Sequence, residues 1–272
     1  MSESPRLLVI GAHPDDADFK AGGLAALYRS RGFEVMFVSV TDGGAGHHVI
    51  TGPPLVDRRR AEAQAAAAVL GLTYQVWDHP DAYLAPNLVR REQVIRLIRT
   101  FRPDLVLTHR PNDYHPDHRV TSQLVQDAAY LLTVPAVCPE VPHLRRDPVI
   151  AYLSDDFTRP YPFEPSIVLD IEAFWDSKIS LLHAHASQFY EWLPSNMDWF
   201  RDPPEEDIAR REWLSSRIEA LSVKLADKYR EKLIAAYGES RGGSLRFVEV
   251  FEACEYGAPL DQGARERLFP FP

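Results

Sequence analysis

LLVIGAHPDDADF, residues 7–19, joins an apolar run to a histidine and two adjacent aspartates. The apolar residues suit a buried strand, whereas imidazole and carboxylate groups are costly to bury. In an open parallel sheet, ligands bind beyond the carboxyl ends of the strands. We therefore expect a strand that ends before His13 and presents His13, Asp15 and Asp16 at the edge of a sheet, where they are available for chemistry.

The rest of the chain continues this pattern. Apolar, β-branched runs alternate with helical patterns over residues 1–130, which is typical of βαβ units and a parallel sheet. The predicted strands are 6–12, 34–41, 73–77, 104–108, 149–154, 166–171 and an edge strand at 245–253. The predicted helices are 20–31, 57–70, 88–101, 116–132, 174–187 and a long or broken helix at 204–237. The sequence thus predicts an α/β fold, with a mostly parallel central sheet flanked by helices and an active site at the carboxyl ends of the strands.

The chain of 272 residues is long enough for one large α/β domain or two small ones, and we expect a single domain. In this prediction residues 1–135 form the core that carries the motifs, and residues 136–272 complete it with loops, helices and the edge strand. The tail after Tyr256 is expected to be loosely held. The aromatic segment 189–200, FYEWLPSNMDWF, is predicted to stack on a sugar ring or to form an apolar contact between subunits.

The composition disfavours several classes of function. A formal net charge of −9 disfavours nucleic acid as a partner, because phosphate contacts need clustered Lys and Arg. No apolar run approaches the roughly 18 residues of a membrane span, and residues 1–10 lack the pattern of a secretory signal. We therefore expect a cytoplasmic protein without a membrane partner. Cys138 and Cys254 are far apart and predict neither a disulfide framework nor a cysteine-based zinc site.

A second polar motif follows the fourth predicted strand, in DLVLTHRPNDYHPDH, residues 104–118. Pro116 suits the first turn of a helix, so His115 and His118 can share one side of it. A catalytic zinc site needs three protein ligands and an open fourth position for water. The two motifs supply such a set at one edge of the sheet. The predicted metal ligands are His13, Asp16 and His118.

The other polar residues of the two motifs have predicted roles around that metal. Asp15 lies next to the ligands in sequence and can accept the proton of the attacking water as general base. His115 can stabilise an oxyanion or protonate a leaving amine. Asp113 and Asp117 are candidates for the carboxylates that orient the ligand histidines from behind.

Each motif also has an alternative explanation. An aspartate after a strand is commonly a helix N-cap, and an isolated HxxH pattern is usually solvated. The occurrence of HPDD at one strand end and HPDH at another favours the metal site instead. Two histidines and one carboxylate also fit a non-haem Fe(II) enzyme, and a non-catalytic module could use them to bind a metal or a sugar. The α/β pattern disfavours the Fe(II) enzyme, and the presence of Asp15 disfavours the non-catalytic module.

Several segments of the chain resemble the PIG-L/LmbE family of zinc-dependent N-deacetylases. They are AHPDD at 12–16, TDGG at 41–44, Arg59-Arg60-Ala61-Glu62 at the start of an Ala-rich helix, and DYHPDH at 113–118. The resemblance implies a Rossmann-like α/β fold and hydrolysis of the N-acetyl group of an N-acetylglucosamine-type sugar or glycoconjugate. It also implies the ligands, the base Asp15 and the electrostatic partner His115 that the motifs predict.

The resemblance implies further details. Arg59 falls on the arginine of the family's RxxE pattern and is expected to bind substrate. One Zn²⁺ per chain is the expected cofactor, with Fe²⁺ as the other metal, and the family is compatible with a homo-oligomer. Candidate substrates are glucosaminyl malate or inositol conjugates, chito-oligosaccharides and antibiotic intermediates. Gly44 and Ala82 stand where many members have an acid and a glycine, and the loops 43–56 and 133–165 match no family pattern.

Overall fold

The structure is a computed structural model and describes residues 4–270. At its centre is one seven-stranded sheet. The strands are β1 Leu7–Gly11, β2 Val35–Thr41, β3 Thr73–His79, β4 Leu105–Thr108, β5 Val149–Leu153, β6 Ile167–Asp170 and β7 Val248–Ala253. They lie in the order β3-β2-β1-β4-β5-β7-β6, and β1 to β5 run parallel to one another. The predicted α/β fold with a mostly parallel central sheet is therefore confirmed.

Helices flank this sheet. The α-helices are α1 Asp16–Ser30, α2 Pro53–Leu70, α3 Leu88–Phe101, α4 Pro116–Ala129, α5 Trp175–Ala184, α6 Leu193–Asn196, α7 Asp207–Lys228, α8 Arg230–Ser244 and α9 Gln262–Leu268. Shorter 3-10 turns cover Tyr130–Thr133, Glu172–Phe174 and Asp198–Phe200, and a π-helical turn covers Ser187–Trp192. Within residues 4–270, none of the helices combines the length and apolar character needed to cross a bilayer.

Alternate residues of β1 pack into two separate hydrophobic layers, because successive side chains of a strand point to opposite faces. Leu7 and Val9 pack with apolar residues of α1 and α2. Leu8 and Ile10 pack with apolar residues of α3 and α4 on the other face. All four side chains are fully buried, which explains why β1 is an uninterrupted apolar run. Polar side chains can therefore emerge only where β1 ends.

The last strand, β7, is not the edge strand that its alternating glutamates predict. It lies between β5 and β6 and pairs antiparallel with both. Glu249 and Glu252 are buried, because each has polar partners inside the protein. Glu249 accepts a 2.6 Å hydrogen bond from the Lys178 ammonium and another from the backbone N–H of Gly23. Glu252 accepts the backbone N–H of Glu164 at 2.7 Å. The alternation reflects internal pairing, not exposure to water.

The tail after Tyr256 is not loosely held, contrary to expectation. It contains α9, and Leu268 and Phe269 are buried in the hydrophobic layer on the α1 side of the sheet. The Leu268 carbonyl accepts a 2.6 Å hydrogen bond from the Tyr28 hydroxyl, and the Phe269 ring lies 6.0 Å from that of Phe251. Only two apolar residues anchor the tail. They are too few to form a periodic pattern, so the sequence does not indicate that this segment is buried.

The aromatic segment 189–200 belongs largely to the core. Phe189, Tyr190 and Phe200 are buried and pack with Leu214 and Ile218 of α7. The expectation that these three rings stack on a sugar or contact another subunit is wrong, because α7 covers them.

We expect Leu268→Ala to destabilise the protein by about 2–5 kcal/mol, because it opens a cavity in the layer that α9 closes. Leu88→Ala is the matched control: Leu88 is 58% exposed, and its truncation should change the free energy of unfolding by less than about 0.5 kcal/mol. Denaturant unfolding of both variants measures the difference. Equal stabilities would contradict the role of the tail as an anchor.

Candidate active site

The two polar motifs meet at the carboxyl ends of β1 and β4, which are adjacent parallel strands. β1 ends at Gly11, just before the HPDD motif, and β4 ends at Thr108, before the loop that leads into α4. His13 and His118 are 105 positions apart in the chain, yet Nδ1 of His13 lies 3.1 Å from Nε2 of His118. Strand pairing thus brings the two motifs into contact.

The donor atoms of the three predicted ligands lie close together. One carboxylate oxygen of Asp16 is 3.5 Å from Nδ1 of His13, and the other is 3.5 Å from Nε2 of His118. Ligand atoms at 2.0–2.1 Å from a tetrahedral zinc ion are separated from each other by about 3.3 Å. The separations of 3.1 to 3.5 Å are near that value, but the two Asp16 contacts use different carboxylate oxygens. Among residues 4–270, the compact groups of donor atoms that could hold a metal ion include His13 with His115 and His118, and Asp16 with His109 and His118.

The electrostatics of these residues also suit a cation. Burial alone would raise the pKa of Asp16, but His118 and His109 hold it well below its usual range. Burial alone would lower the pKa of His13, but neighbouring carboxylates, Asp117 and Asp16 among them, hold it well above its usual range. The carboxylates therefore favour positive charge at this place, and a metal ion can supply that charge.

Carboxylates contact the second ring nitrogen of both predicted ligand histidines. Oδ1 of Asp113 is 3.0 Å from Nδ1 of His118. Oδ1 of Asp81 and Oδ2 of Asp117 are 3.1 and 3.6 Å from Nε2 of His13. Such contacts select the ring tautomer and orient the nitrogen that faces a metal. Asp113 and Asp117 lie where the sequence predicts orienting carboxylates, whereas Asp81 was not predicted.

Asp81 lies in the loop after β3, in the stretch HPDAY, which repeats the first letters of the HPDD motif. That similarity is its only signal in the sequence. Asp81 also accepts the backbone N–H of Ala45, and Asp117 accepts those of Ala82 and Leu84. These carboxylates tie the loops after β2 and β3 to the HPDH motif. Ala82 has a φ of 69°, a conformation that glycine adopts more readily, so this departure from the family pattern carries backbone strain.

His109 is a buried residue of the site to which neither sequence motif assigns a role. Its ring stacks on that of His118, with centroids 4.0 Å apart. Its Nε2 accepts the backbone N–H of Ala12 at 3.1 Å and lies 3.2 Å from Asp16. Burial lowers the pKa of His109 to about 4, with His118 adding to the effect, so the ring is neutral at pH 7. Its one signal in the sequence is that it directly follows β4.

Asp15 has an unusual backbone conformation at the N-cap of α1. Its φ is 144°, which residues with a side chain rarely adopt, and such strain is concentrated at functional sites. Its backbone N–H donates to the Tyr74 hydroxyl at 3.1 Å, and its carboxylate accepts a 3.0 Å hydrogen bond from Arg59. Burial raises the pKa of Asp15, and Arg59 opposes this effect. A held carboxylate with a raised pKa is suited to accept a proton.

Arg59 is buried, with only 2% of its side chain exposed. Besides Asp15, its guanidinium donates to the carbonyl oxygen of Pro14 at 2.6 Å. A Cβ at Gly43 would lie 2.7 Å from the same guanidinium, which explains the glycine at that position of the TDGG loop. The structure therefore places Arg59 behind the HPDD loop, and its contact with substrate stays a prediction.

His115 caps the N-terminus of α4 and lies beside the predicted ligands. Its Nδ1 accepts the backbone N–H of Asp117 at 3.2 Å, so in the neutral ring the proton resides on Nε2. Its ring centroid is 4.5 Å from that of His13 and 5.2 Å from that of His118. Burial lowers the pKa of His115, and the charges of both histidines lower it further. The ring is therefore a neutral hydrogen-bond donor next to the ligands.

A buried chain of polar groups extends from Asp15 into the protein. The Tyr74 hydroxyl donates to Asp18 at 2.9 Å, and Nε2 of His185 lies 3.1 Å from the same carboxylate. Asp18 and His185 are fully buried. Neither was assigned from the sequence, because their contact depends on how α5 packs against α1, and local patterns do not encode that packing.

Comparisons with known proteins support the predicted family resemblance. Residues 8–129 match the model of the PIG-L family, described as GlcNAc-PI de-N-acetylase. The match covers both motifs, and the predicted resemblance to this family is confirmed.

Proteins similar to this chain include a hydratase and several deacetylases. A 4-oxalmesaconate hydratase of Pseudomonas putida is 29% identical over 196 residues, covering 68% of this chain and 74% of that protein. A diacetylchitobiose deacetylase of Thermococcus kodakarensis is 28% identical over 196 residues, covering 68% and 71%. Among solved structures, an N,N'-diacetylchitobiose deacetylase from Pyrococcus horikoshii has a TM-score of 0.71 at 22% identity, over 93% of this chain and 85% of that one. The structural likeness supports the fold.

We expect Asp81→Asn to weaken zinc binding by about 10- to 100-fold, because it removes the negative charge behind His13. Asp78→Asn is the matched control, since Asp78 lies close in the chain but is 90% exposed and pairs with Arg60. Competition with a chromogenic chelator measures both affinities. Equal affinity in the two variants would show that Asp81 does not orient a ligand.

Proposed function

Because residues 8–129 match the PIG-L family model, we propose that this protein is a zinc-dependent N-deacetylase of N-acetylglucosamine-type sugars or glycoconjugates. The observation that carries the proposal is the convergence of His13, Asp16 and His118 beside the held carboxylate of Asp15. The diacetylchitobiose deacetylases among the similar proteins support the acetamido sugar as substrate. The single domain, the cytoplasmic location and the homo-oligomer stay predictions.

The residues proposed to hold the metal are His13, Asp16 and His118, with one Zn²⁺ per chain. When bound, the metal would polarise the amide carbonyl and make a water molecule more acidic. Asp113, Asp81 and Asp117 would keep the two ligand rings in place. Fe²⁺ is the other candidate, since two histidines and a carboxylate also accommodate it.

The proposed proton transfers use groups of the chain itself. Asp15 takes a proton from the attacking water and delivers it to the amine nitrogen when the C–N bond breaks, so that acetate and a primary amine leave. His115 donates a hydrogen bond from Nε2 to the oxygen that becomes negative in the transition state. Arg59 keeps the carboxylate of Asp15 in the orientation that this transfer needs.

Asp15→Asn should retain the metal and lose about 10²- to 10⁴-fold in turnover, because an amide cannot accept the proton. The measurement is acetate release from N-acetylglucosamine, diacetylchitobiose and N-acetylglucosaminyl conjugates by zinc-loaded protein, with metal content determined in parallel. Full activity in the variant would overturn the assignment of Asp15. Absence of acetate from every substrate, with zinc bound, would contradict the deacetylase.

Arg59→Gln should lower kcat by about 10²-fold with little change in KM, because Asp15 loses its anchor while substrate contacts persist. The partly exposed neighbour Arg60, which pairs with Asp78, offers Arg60→Gln as a control with near-normal kinetics. Steady-state kinetics on the best substrate of the panel separates the two parameters. A rise in KM at constant kcat would instead support substrate binding by Arg59.

A second candidate function is addition of water to a carbon–carbon double bond. The similarity to the 4-oxalmesaconate hydratase favours it, since that relative is as similar to this chain as the deacetylase is. The same metal ligands and base could serve that reaction. Loss of the ultraviolet absorbance of an unsaturated oxo acid, without acetate release from any amide, would favour the hydratase.

A further inference from the structure

A cavity of about 230 Å³ lies beyond the carboxyl end of β5, which runs parallel to β4. It is formed by the start of α1, by α5 and α7, and by the residues around the end of β5 and the start of β7. Phe19, Trp175 and Ile218 contribute an apolar wall, and charged side chains line the remainder. A cavity of this size can hold a small substituent of a substrate.

The acidic residues that line this cavity already have cationic partners. The pairs are Glu249 with Lys178 at 2.6 Å, Asp156 with Lys228 at 3.1 Å, and Asp155 with Arg110 at 2.8 Å. Each of these acids thus has a cationic partner, although Oδ2 of Asp155 is buried without a hydrogen-bond partner.

Two further lysines line the cavity: Lys224, which is exposed to water, and Lys20, which is partly buried. Within residues 4–270 Lys20 makes no hydrogen bond or ion pair, and its ammonium lies 5.1 Å from the ring centroid of Phe19. The side chain is partly buried, so water compensates its charge incompletely. Burial lowers the pKa of Lys20, and the ammonium of Lys178 lowers it further. An anion bound in the cavity would pair with the Lys20 ammonium and so oppose the lowering of its pKa by burial and by Lys178.

The position of Lys20 relates it to the reaction centre. It follows Asp16 by four residues on α1, so the two share one side of the helix and are about 6 Å apart along its axis. The carboxylates of Asp113, Asp155 and Asp16 each oppose the lowering of the pKa of Lys20, which supports this proximity. A group bound to Lys20 would therefore belong to the part of the substrate next to the scissile amide.

We propose that Lys20 binds a carboxylate of the substrate, and that the preferred substrates are acidic N-acetylated sugars, in which a short carboxylated chain neighbours the acetamido group. The apolar wall accommodates the carbons of that chain, and the ammonium pairs with its charge. The substrate class rests on the proposed deacetylase function, whereas the anion site itself does not.

The test compares acids with their neutral methyl esters: N-acetylmuramic acid and N-acetylglucosaminyl malate, each with its ester. Wild-type protein should prefer the acids, and Lys20→Met should raise KM for the acids by on the order of 10- to 100-fold while KM for the esters stays the same. Lys20→Arg should restore most of the preference. Lys232→Gln is the control, because Lys232 contacts Glu164 and Pro165 outside this cavity. Equal KM for an acid in wild type and Lys20→Met would overturn the proposal.

Calorimetric titration with the same acids separates this inference from the proposed function. If wild-type protein releases no acetate, the deacetylase fails, yet a dissociation constant that rises about 10-fold or more in Lys20→Met preserves the anion site. An unchanged dissociation constant, or no binding of either acid to wild-type protein, would overturn it. Thermal denaturation of each variant verifies that the fold is intact.

Discussion

The parallel pairing of β1 with β4 is the constraint on which the site depends. It places the ends of two apolar strands side by side, so that segments about a hundred residues apart in the chain share one edge of the sheet. Each strand is buried on both faces and can present polar groups only beyond its last residue. The metal motifs therefore lie where hydrophobic packing stops, and the rigidity of the sheet sets the distance between His13 and His118.

The concentration of charge at this edge is tolerated because the charges neutralise one another. Histidines and carboxylates alternate from Asp113 through His118 and Asp16 to His13 and Asp81, with neighbouring side-chain atoms 3.0 to 3.5 Å apart. Removing water from such groups is costly unless each keeps a partner. The same principle accounts for the buried pair of Lys178 and Glu249. Lys20 differs from these groups, because it is partly buried and makes no ion pair with the described residues.

The comparison of prediction and structure shows which signals a sequence carries. The strands and helices that position the motifs were predicted to within a few residues, because continuous apolar runs and helical periodicity are local properties. α1 begins at Asp16 and not at residue 20, since the strained Asp15 allows the helix to start inside the motif. β7 was misplaced because its glutamates were interpreted as solvent-facing. The burial of the tail was not predicted, because two apolar residues are too few to form a periodic hydrophobic pattern.

The sequence alone determined the α/β fold and the residue types of a hydrolytic metal site, because strand ends and the HPDD and HPDH spacings are encoded within short segments. Only the tertiary structure decided which distant groups complete that site. The contacts of Asp81 with His13, of His109 with Asp16 and of Arg59 with Asp15 join different loops and helices. Whether a charge has a partner is likewise a property of the folded chain. The absence of an ion pair at Lys20 is therefore visible only in the folded structure, since ion pairs form between side chains that are near in space and need not be near in sequence.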